Sequence, residues 1–131
     1  MQRFKVEKAM QHSPEFLALV EKSRARVQEV TVAELEQWQQ QGRAFRLVDV
    51  REDREWQAGH AASAEHLGRG VLERDLLERV PDKSTVLVLY CGGGFRSAMA
   101  ADNAQQMGYS AVWSLAGGWK AWVAAGLPTA I

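Results

Sequence analysis

The run from Val86 to Tyr90, Val-Leu-Val-Leu-Tyr, carries no charged side chain and limits the possible folds more than any other feature of the sequence. A second, mostly apolar segment with branched side chains covers residues 45–50. Continuous runs of this kind are typical of strands in a parallel sheet that helices cover on both faces. We therefore predict that the two runs are parallel neighbours in a central sheet.

Helical segments alternate with these strands. A capping box at Thr31 and Glu34 predicts a short helix that stops at Gly42. Further helices are predicted over residues 71–80, 97–107 and 119–125, and a further strand over residues 111–114. Alternation of strands and helices indicates an α/β fold with a central, mainly parallel sheet.

An additional helix is predicted before this domain. Ser13 is a suitable N-cap, Pro14 suits the first turn, and apolar residues then recur at helical spacing from Phe16 onward. A chain of 131 residues is long enough for one hydrophobic core and too short for two ordinary domains. We therefore predict an N-terminal helical extension at residues 1–29 and one main domain at residues 30–131.

Charge and apolar content argue against nucleic-acid and membrane partners. Lysine and arginine total 16, as do aspartate and glutamate, so no net charge draws the protein to nucleic acid or to an anionic membrane. No stretch approaches the roughly 18 apolar residues that span a bilayer. The first residues lack the apolar core of a secretory signal, and we expect a cytoplasmic protein.

Cys91 is the only cysteine, which excludes an intramolecular disulfide and a cysteine-based zinc cluster. The three histidines lie at no ligand-like spacing, so no metal site is predicted. Without a second thiol in the chain, any group that Cys91 acquires must leave to another molecule.

Residues 90–97 join the second strand to a helix and contain Cys91, a run of three glycines and Arg96. Glycines at residues 92–94 can adopt positive φ and turn successive N–H groups toward the sulfur, beside the positive end of the helix dipole. Such surroundings favour the thiolate, which is the nucleophilic form of cysteine. Most lone cysteines are small buried hydrophobes, but the glycines, the arginine and the helix start together favour a reactive thiol.

Three motifs resemble signatures of the rhodanese family, over roughly residues 30–127. The first is Leu47-Val48-Asp49-Val50-Arg51, followed by Glu55-Trp56 and Gly59-His60. The second is the loop Cys91-Gly92-Gly93-Gly94-Phe95-Arg96-Ser97. The third is Leu115-Ala116-Gly117-Gly118-Trp119, with Trp122. Three ordered motifs are far more specific than any one of them.

The resemblance implies a rhodanese-like three-layer fold and a sulfurtransferase without cofactor or metal. Cys91 would attack a sulfane-sulfur donor such as thiosulfate, become a persulfide and pass the outer sulfur to a thiol or cyanide acceptor by a ping-pong mechanism. The persulfide would be held by the active-site loop, which comprises Gly92, Gly93, Gly94, Phe95, Arg96 and Ser97. Arg96 would shape this loop and steer the donor.

Four residues of the first motif are expected to support the site without reacting. Asp49 either caps the turn after its strand, hydrogen-bonds the active-site loop or assists a proton transfer. Arg51 and Glu55, four residues apart, are predicted to form a structural ion pair. His60 is predicted to bond nearby backbone. Trp119 and Trp122 are predicted to be core residues, with one of them a candidate for the pocket mouth.

The spacing and composition of the loop refine this interpretation. Only four residues separate Cys91 from Arg96, whereas related phosphatases and arsenate reductases have one residue more and hold a tetrahedral oxyanion. The variable loop positions are uncharged, whereas some thiosulfate-using relatives carry basic side chains there, so the resemblance implies that thiosulfate is a mediocre donor. Phe95 is predicted either to point outward and contact a partner or to fold back onto the core.

Two alternatives to an enzyme with small substrates remain at this stage. A persulfide carrier would accept sulfur from a protein donor on the same cysteine. A non-catalytic rhodanese-like interaction domain would need no reactive thiol, and the intact Cys91 loop argues against it.

Overall fold

A five-stranded parallel sheet forms the centre of the protein in the computed structural model, which describes residues 12–131. The strands of this sheet are β1 (Gln28–Val30), β2 (Arg46–Asp49), β4 (Glu65–His66), β5 (Leu87–Tyr90) and β6 (Val112–Leu115). They follow the order β1-β6-β5-β2-β4. Two short strands, β3 (His60–Ala61) and β7 (Thr129–Ala130), form a separate antiparallel pair. The predicted neighbours β2 and β5 pair in parallel, with Asp49 opposite Tyr90.

Helices cover both faces of the sheet, which confirms the predicted α/β class. They are α1 (Pro14–Arg24), α2 (Val32–Gln40), α3 (Asp53–Ala58), α4 (Leu72–Arg79), α5 (Phe95–Gln106) and α6 (Gly118–Ala124). The Ser13 hydroxyl accepts the N–H of Phe16 at 3.0 Å, as expected of an N-cap. The predicted capping box of Thr31 and Glu34 is also present.

Helix α5 begins two residues earlier than the sequence pattern predicts. Its N-cap is Gly94, with a φ of 101°, rather than a residue next to Ser97. Because glycine tolerates this left-handed conformation, the chain turns sharply and enters the helix at once. Phe95 and Arg96 therefore belong to the first helical turn and not to the preceding loop.

Alternate side chains of the strands enter two separate apolar cores. The core under α4 and α5 includes Val48, Leu87 and Leu89 from the strands. The opposite core, under α2 and α6, includes Leu47, Val88 and Tyr90. Burying a side chain of this size stabilises a fold by about 1.5–3 kcal/mol. The sheet that presents Cys91 is therefore fixed from both sides.

Helix α1 packs along α5. At the junction, Asp102 of α5 accepts hydrogen bonds from Arg26 at 2.6 Å and from the Ser23 hydroxyl at 3.1 Å. Residues 1–11 of the predicted N-terminal extension lie outside the described residues. The division at residues 29 and 30 remains a prediction.

Within residues 12–131 the structure contains no helix that combines the length and apolar character needed to cross a membrane. Cytoplasmic localisation remains a prediction from the sequence.

Candidate active site

Cys91 lies immediately after β5, at the carboxyl edge of the parallel sheet, where ligand sites form in folds of this class. Its side chain is buried, with 1% of the residue surface exposed. The sulfur accepts the backbone N–H groups of Gly94 at 3.1 Å and of Ser97 at 3.4 Å. The Ser97 hydroxyl lies 3.5 Å from the same atom. These dipoles converge on the one place where a thiolate would need them.

The three glycines at residues 92–94 do not share one backbone conformation. Of the three glycines that can adopt a positive φ, only Gly94 does so. The donors come instead from the first turn of α5, whose N–H groups have no partner inside the helix. A Cβ on Gly93 would meet no atom within 4 Å, whereas one on Gly92 would lie 3.4 Å from the Arg96 guanidinium.

A buried serine pair extends from the sulfur into the sheet. The hydroxyls of Ser97 and Ser114 lie 2.8 Å apart, and both residues are fully buried. Ser114 belongs to β6, and the sequence analysis did not single it out. The available signal was a hydroxyl in an otherwise apolar buried strand, which needs a hydrogen-bond partner.

Arg96 is fixed by Glu55 of α3. Two of its guanidinium nitrogens donate to the two Glu55 carboxylate oxygens at 2.9 and 3.2 Å. This contact, opposed in part by burial, holds the pKa of the Glu55 carboxyl below its usual range. The pair links the start of α5 to the segment after β2.

The predicted ion pair between Arg51 and Glu55 is wrong. Arg51 folds back onto Asp49, and its guanidinium lies 2.9 Å from that carboxylate. Asp49 also accepts the N–H of Arg51 at 2.8 Å, so it caps the turn that follows β2. Within residues 12–131 no hydrogen bond joins Asp49 to residues 91–97. The chain bends at Arg51, shortly after β2. This bend brings the Arg51 guanidinium against Asp49, rather than Glu55, before α3 begins.

His60 contacts backbone, not the sulfur. Its Nδ1 lies 2.9 Å from the carbonyl oxygen of Trp56, so Nδ1 carries the donated proton. The imidazole also stacks on the Trp56 ring with centroids 3.4 Å apart. His60 is not among the residues that line the pocket at Cys91.

The third motif closes over the loop through its backbone. The N–H of Trp119 donates to the Cys91 carbonyl at 2.7 Å, and that of Lys120 donates to the Gly92 carbonyl at 3.2 Å. Gly118 permits this approach, because a Cβ there would overlap the carbonyl oxygen of Cys91. Trp122 lies in the core as predicted, and neither Trp122 nor Trp119 lines the pocket.

The Cys91 pocket has a volume of about 440 Å³ and includes residues that the sequence analysis missed. Lys120 of α6 lines it, as do His12 and Phe16 at the start of α1. Phe95 neither joins the core nor points away from the protein, since its ring packs edge-on against His12 with centroids 5.0 Å apart. Nothing in the local sequence indicates that α1 reaches the active-site loop.

A larger cavity, of about 590 Å³, shares Arg96 with this pocket but does not include Cys91. Among residues 12–131, no group of His, Cys, Asp and Glu side chains is placed to hold a metal ion.

The buried cysteine at a strand end, the donors of the following helix and the α/β sheet define a Rhodanese-like domain. The family model for the Rhodanese-like domain matches residues 31–125, and the chain belongs to this family. The matched range begins after α1.

Several known proteins are similar to this chain. The probable adenylyltransferase/sulfurtransferase MoeZ of Mycobacterium tuberculosis is 35% identical over 94 residues, which cover 71% of this chain and 24% of that protein. This chain thus spans about a quarter of that relative's length.

Two solved structures share most of the fold. The polysulfide-sulfur transferase homodimer of Wolinella succinogenes has a TM-score of 0.74 and 25% identity, covering 88% of this chain and 87% of that one. A Rhodopseudomonas palustris protein of unknown function, described as a possible tyrosine phosphatase, has a TM-score of 0.74 and 29% identity. The match covers 86% of this chain and 92% of that one.

Proposed function

We propose that this protein is a sulfurtransferase that moves sulfane sulfur through a persulfide on Cys91. The observation that carries this proposal is the convergence of the Gly94 and Ser97 N–H groups on the buried sulfur. Donors fixed by the backbone stabilise a thiolate, and they serve a persulfide anion at the same place without reorganisation.

In the first half-reaction the Cys91 thiolate attacks the outer sulfur of thiosulfate. A new S–S bond forms to Cys91 while the S–S bond of the donor breaks, and sulfite leaves with the electron pair. The charges balance, because a thiolate and a dianion become a persulfide anion and the sulfite dianion. No external oxidant, reductant or proton is required.

In the second half-reaction an acceptor nucleophile attacks the outer sulfur of the persulfide. With cyanide, a C–S bond forms, the S–S bond breaks and the electron pair returns to Cys91 as a thiolate. The product is thiocyanate. Because sulfite leaves before cyanide binds, the mechanism is double displacement.

The roles of the neighbouring residues follow from their contacts. The first turn of α5 supplies the cradle, and Arg96 holds the loop in shape through its ion pair with Glu55. Asp49 accepts the N–H of Arg51, the Arg51 guanidinium donates to the Gly59 carbonyl, and His60 bonds the Trp56 carbonyl. These contacts hold the segment between β2 and β3 in place. The names of the MoeZ and polysulfide-sulfur transferase relatives support sulfur transfer as the reaction class.

A phosphatase is the competing reaction class, since one structural relative is described as a possible tyrosine phosphatase. Four residues between Cys91 and Arg96 make a small cradle for a tetrahedral phosphate. Glu55 also occupies the guanidinium that would otherwise bind phosphate oxygens. Both points favour sulfur over phosphate as the transferred group.

Steady-state kinetics test the proposal. Initial rates of thiocyanate formation are measured while thiosulfate and cyanide are varied together, with Cys91→Ser as the inactive control and p-nitrophenyl phosphate as the competing substrate. We expect parallel double-reciprocal lines, loss of turnover in Cys91→Ser and no phosphate release. Slow turnover of thiosulfate combined with rapid loading by a persulfidated protein would assign the persulfide-carrier role instead.

A further inference from the structure

Ser114 carries the one hydroxyl of strand β6, whose other residues are apolar. The strand lies inside the sheet, and Ser114 sits opposite Leu89 of β5 on one side and Glu29 of β1 on the other. Its residue surface is fully buried. A buried hydroxyl has no water to bond, so its proton needs an acceptor within the protein.

The Ser114 hydroxyl belongs to a chain of three atoms. Within residues 12–131 its one hydrogen-bond partner is the Ser97 hydroxyl, at 2.8 Å. The Ser97 hydroxyl has two partners, Ser114 and the Cys91 sulfur at 3.5 Å. The chain therefore runs from β6 through the first turn of α5 to the reacting atom.

The number of protons in this chain fixes their direction. If Ser97 donated to Ser114, the Ser114 proton would have no acceptor among the described residues. If Ser114 donates to Ser97, both hydroxyl protons are bonded, because the Ser97 proton then turns to the sulfur. An unmade bond to a buried donor is costly, and the second arrangement is favoured. It is complete only when the sulfur accepts, as a thiolate does.

We propose that Ser114 is a positioning residue for the reaction at Cys91, because its hydroxyl directs the Ser97 proton onto the sulfur. This inference rests on the proposed function. The thiolate gains a third donor beside the N–H groups of Gly94 and Ser97. Hydrogen bonds in a buried chain polarise one another, so the Ser97 hydroxyl is a stronger donor while Ser114 bonds its oxygen.

The hydroxyl chain acts at two points of the reaction. In the free enzyme it increases the fraction of Cys91 that is thiolate. When an acceptor attacks the outer sulfur of the persulfide, the S–S bond breaks and the electron pair returns to the Cys91 sulfur. The Ser97 hydroxyl meets this developing charge and transfers no proton. Its bond strengthens in the transition state, which accelerates the step.

The charged groups around the sulfur come from other elements. His12, which precedes α1, lines the pocket together with Glu55 of α3, Arg96 of α5 and Lys120 of α6. Among the described residues, none of these side chains hydrogen-bonds the sulfur. Ser114 does not line the pocket. A substitution at Ser114 therefore changes the hydroxyl chain and leaves the pocket wall as it is.

The pH profile of Cys91 alkylation tests the proposal without any sulfur transfer. Rates with iodoacetamide are measured from about pH 5 to about pH 10, which spans the titration of most protein thiols. We expect Ser114→Ala to react about tenfold more slowly below the midpoint and to have a midpoint about one pH unit higher, because the thiolate loses hydrogen bonding. Ser23→Ala is the matched control, since Ser23 is also buried and its hydroxyl donates to Asp102.

A double-mutant cycle tests whether Ser114 acts through Ser97. In a Ser97→Ala background, Ser114→Ala should have no further effect on the profile, because the linking hydroxyl is gone. Ser114→Thr and Ser114→Val provide a second comparison, since the two side chains share a shape and only threonine keeps the hydroxyl. We expect the wild-type profile for Ser114→Thr and the Ser114→Ala profile for Ser114→Val. This pair decides the question if Ser114→Ala does not fold.

The discharge of a preformed persulfide by cyanide is the readout during the reaction. We expect Ser114→Ala to be slower than the wild type by a factor on the order of five, because the leaving thiolate is less stabilised. This factor should be the same at every pH, since the inner sulfur of a persulfide carries no proton. Equal discharge rates in the two proteins would contradict a role for Ser114 in this step.

The outcomes separate this inference from the proposed function. An unchanged alkylation profile in Ser114→Ala, or equal profiles for Ser114→Thr and Ser114→Val, would overturn the role of Ser114 and leave persulfide formation on Cys91 untouched. A higher midpoint in Ser114→Ala, in a protein whose wild type never forms a persulfide, would support the hydroxyl chain and overturn the sulfurtransferase.

Discussion

Arg96 and Glu55 meet through two hydrogen bonds, of 2.9 and 3.2 Å, although 41 positions separate them in the sequence. The contact ties the first turn of α5, which cradles the Cys91 sulfur, to the short helix α3. The shape of the cradle therefore depends on a residue from a different motif.

Replacement of Glu55 by glutamine is expected to lower kcat/KM for thiosulfate on the order of tenfold, because the Arg96 guanidinium loses its charged partner and the loop loses its fixed position. Steady-state rates measure the effect. Glu78→Gln is the control, since Glu78 is exposed on α4 and forms no ion pair with the described residues. Unchanged kcat/KM in Glu55→Gln would mean that Glu55 does not position Arg96 for the reaction.

The same pair predicts a response to acid. Arg96 holds the pKa of Glu55 below its usual range in the folded protein. The pair therefore stabilises the fold above the pKa of an unfolded glutamate, about 4.3, and this contribution is lost as the pH falls through the lower folded-state value. We expect the free energy of unfolding, measured in urea, to fall more steeply with acidification in the wild type than in Glu55→Gln. Parallel curves for the two proteins would contradict this assignment.

Local signals predicted most of the fold. The cap at Ser13, the capping box at Thr31 and the two apolar runs each depend on residues within a few positions of one another. Predictions from such local signals hold, because the same short-range contacts are present in the folded protein. The motif at Cys91 also predicted a sulfur at the start of a helix, and α5 does begin directly after Gly94.

Long-range contacts account for what the sequence analysis missed. Glu55 was expected to pair with Arg51, its neighbour four positions away, and instead binds Arg96 across the pocket. The roles of Phe16 and Lys120 depend on how α1 and α6 pack against the loop, which no local pattern encodes. The positive φ of Gly94 alone, rather than of the whole glycine run, follows from the early start of α5.

Gly118 is expected to be intolerant of any side chain. Its φ is 53°, and a Cβ there would overlap the Cys91 carbonyl. Gly118→Ala should therefore destabilise the protein by about 2 kcal/mol or more, which thermal unfolding would register as a lower Tm. Gly70→Ala is the matched control, since a Cβ at Gly70 meets nothing within 4 Å. Equal Tm values for the two variants would show that the close approach of α6 to the loop is not required.

Asp102 is expected to anchor α1. Its carboxylate accepts bonds from Arg26 and Ser23 and is almost fully buried, so Asp102→Ala should cost about 1–3 kcal/mol. Hydrogen exchange in residues 14–24 should become faster. Asp75→Ala is the control, because the Arg74 partner of Asp75 is largely exposed and such surface pairs contribute little. Unchanged exchange in α1 after Asp102→Ala would assign its anchoring to the aromatic contacts alone.

Persulfide formation on Cys91 is the central claim, and intact mass spectrometry tests it most directly. The wild type and Cys91→Ser are incubated with thiosulfate and separated from excess reagent. The intact mass of each protein is measured before and after treatment with cyanide. We expect the wild type to gain the mass of one sulfur atom and lose it to cyanide, while Cys91→Ser gains nothing. An equal gain in Cys91→Ser, or no gain in the wild type with thiosulfate, an organic thiosulfonate or a persulfidated protein, would contradict sulfur transfer through this cysteine.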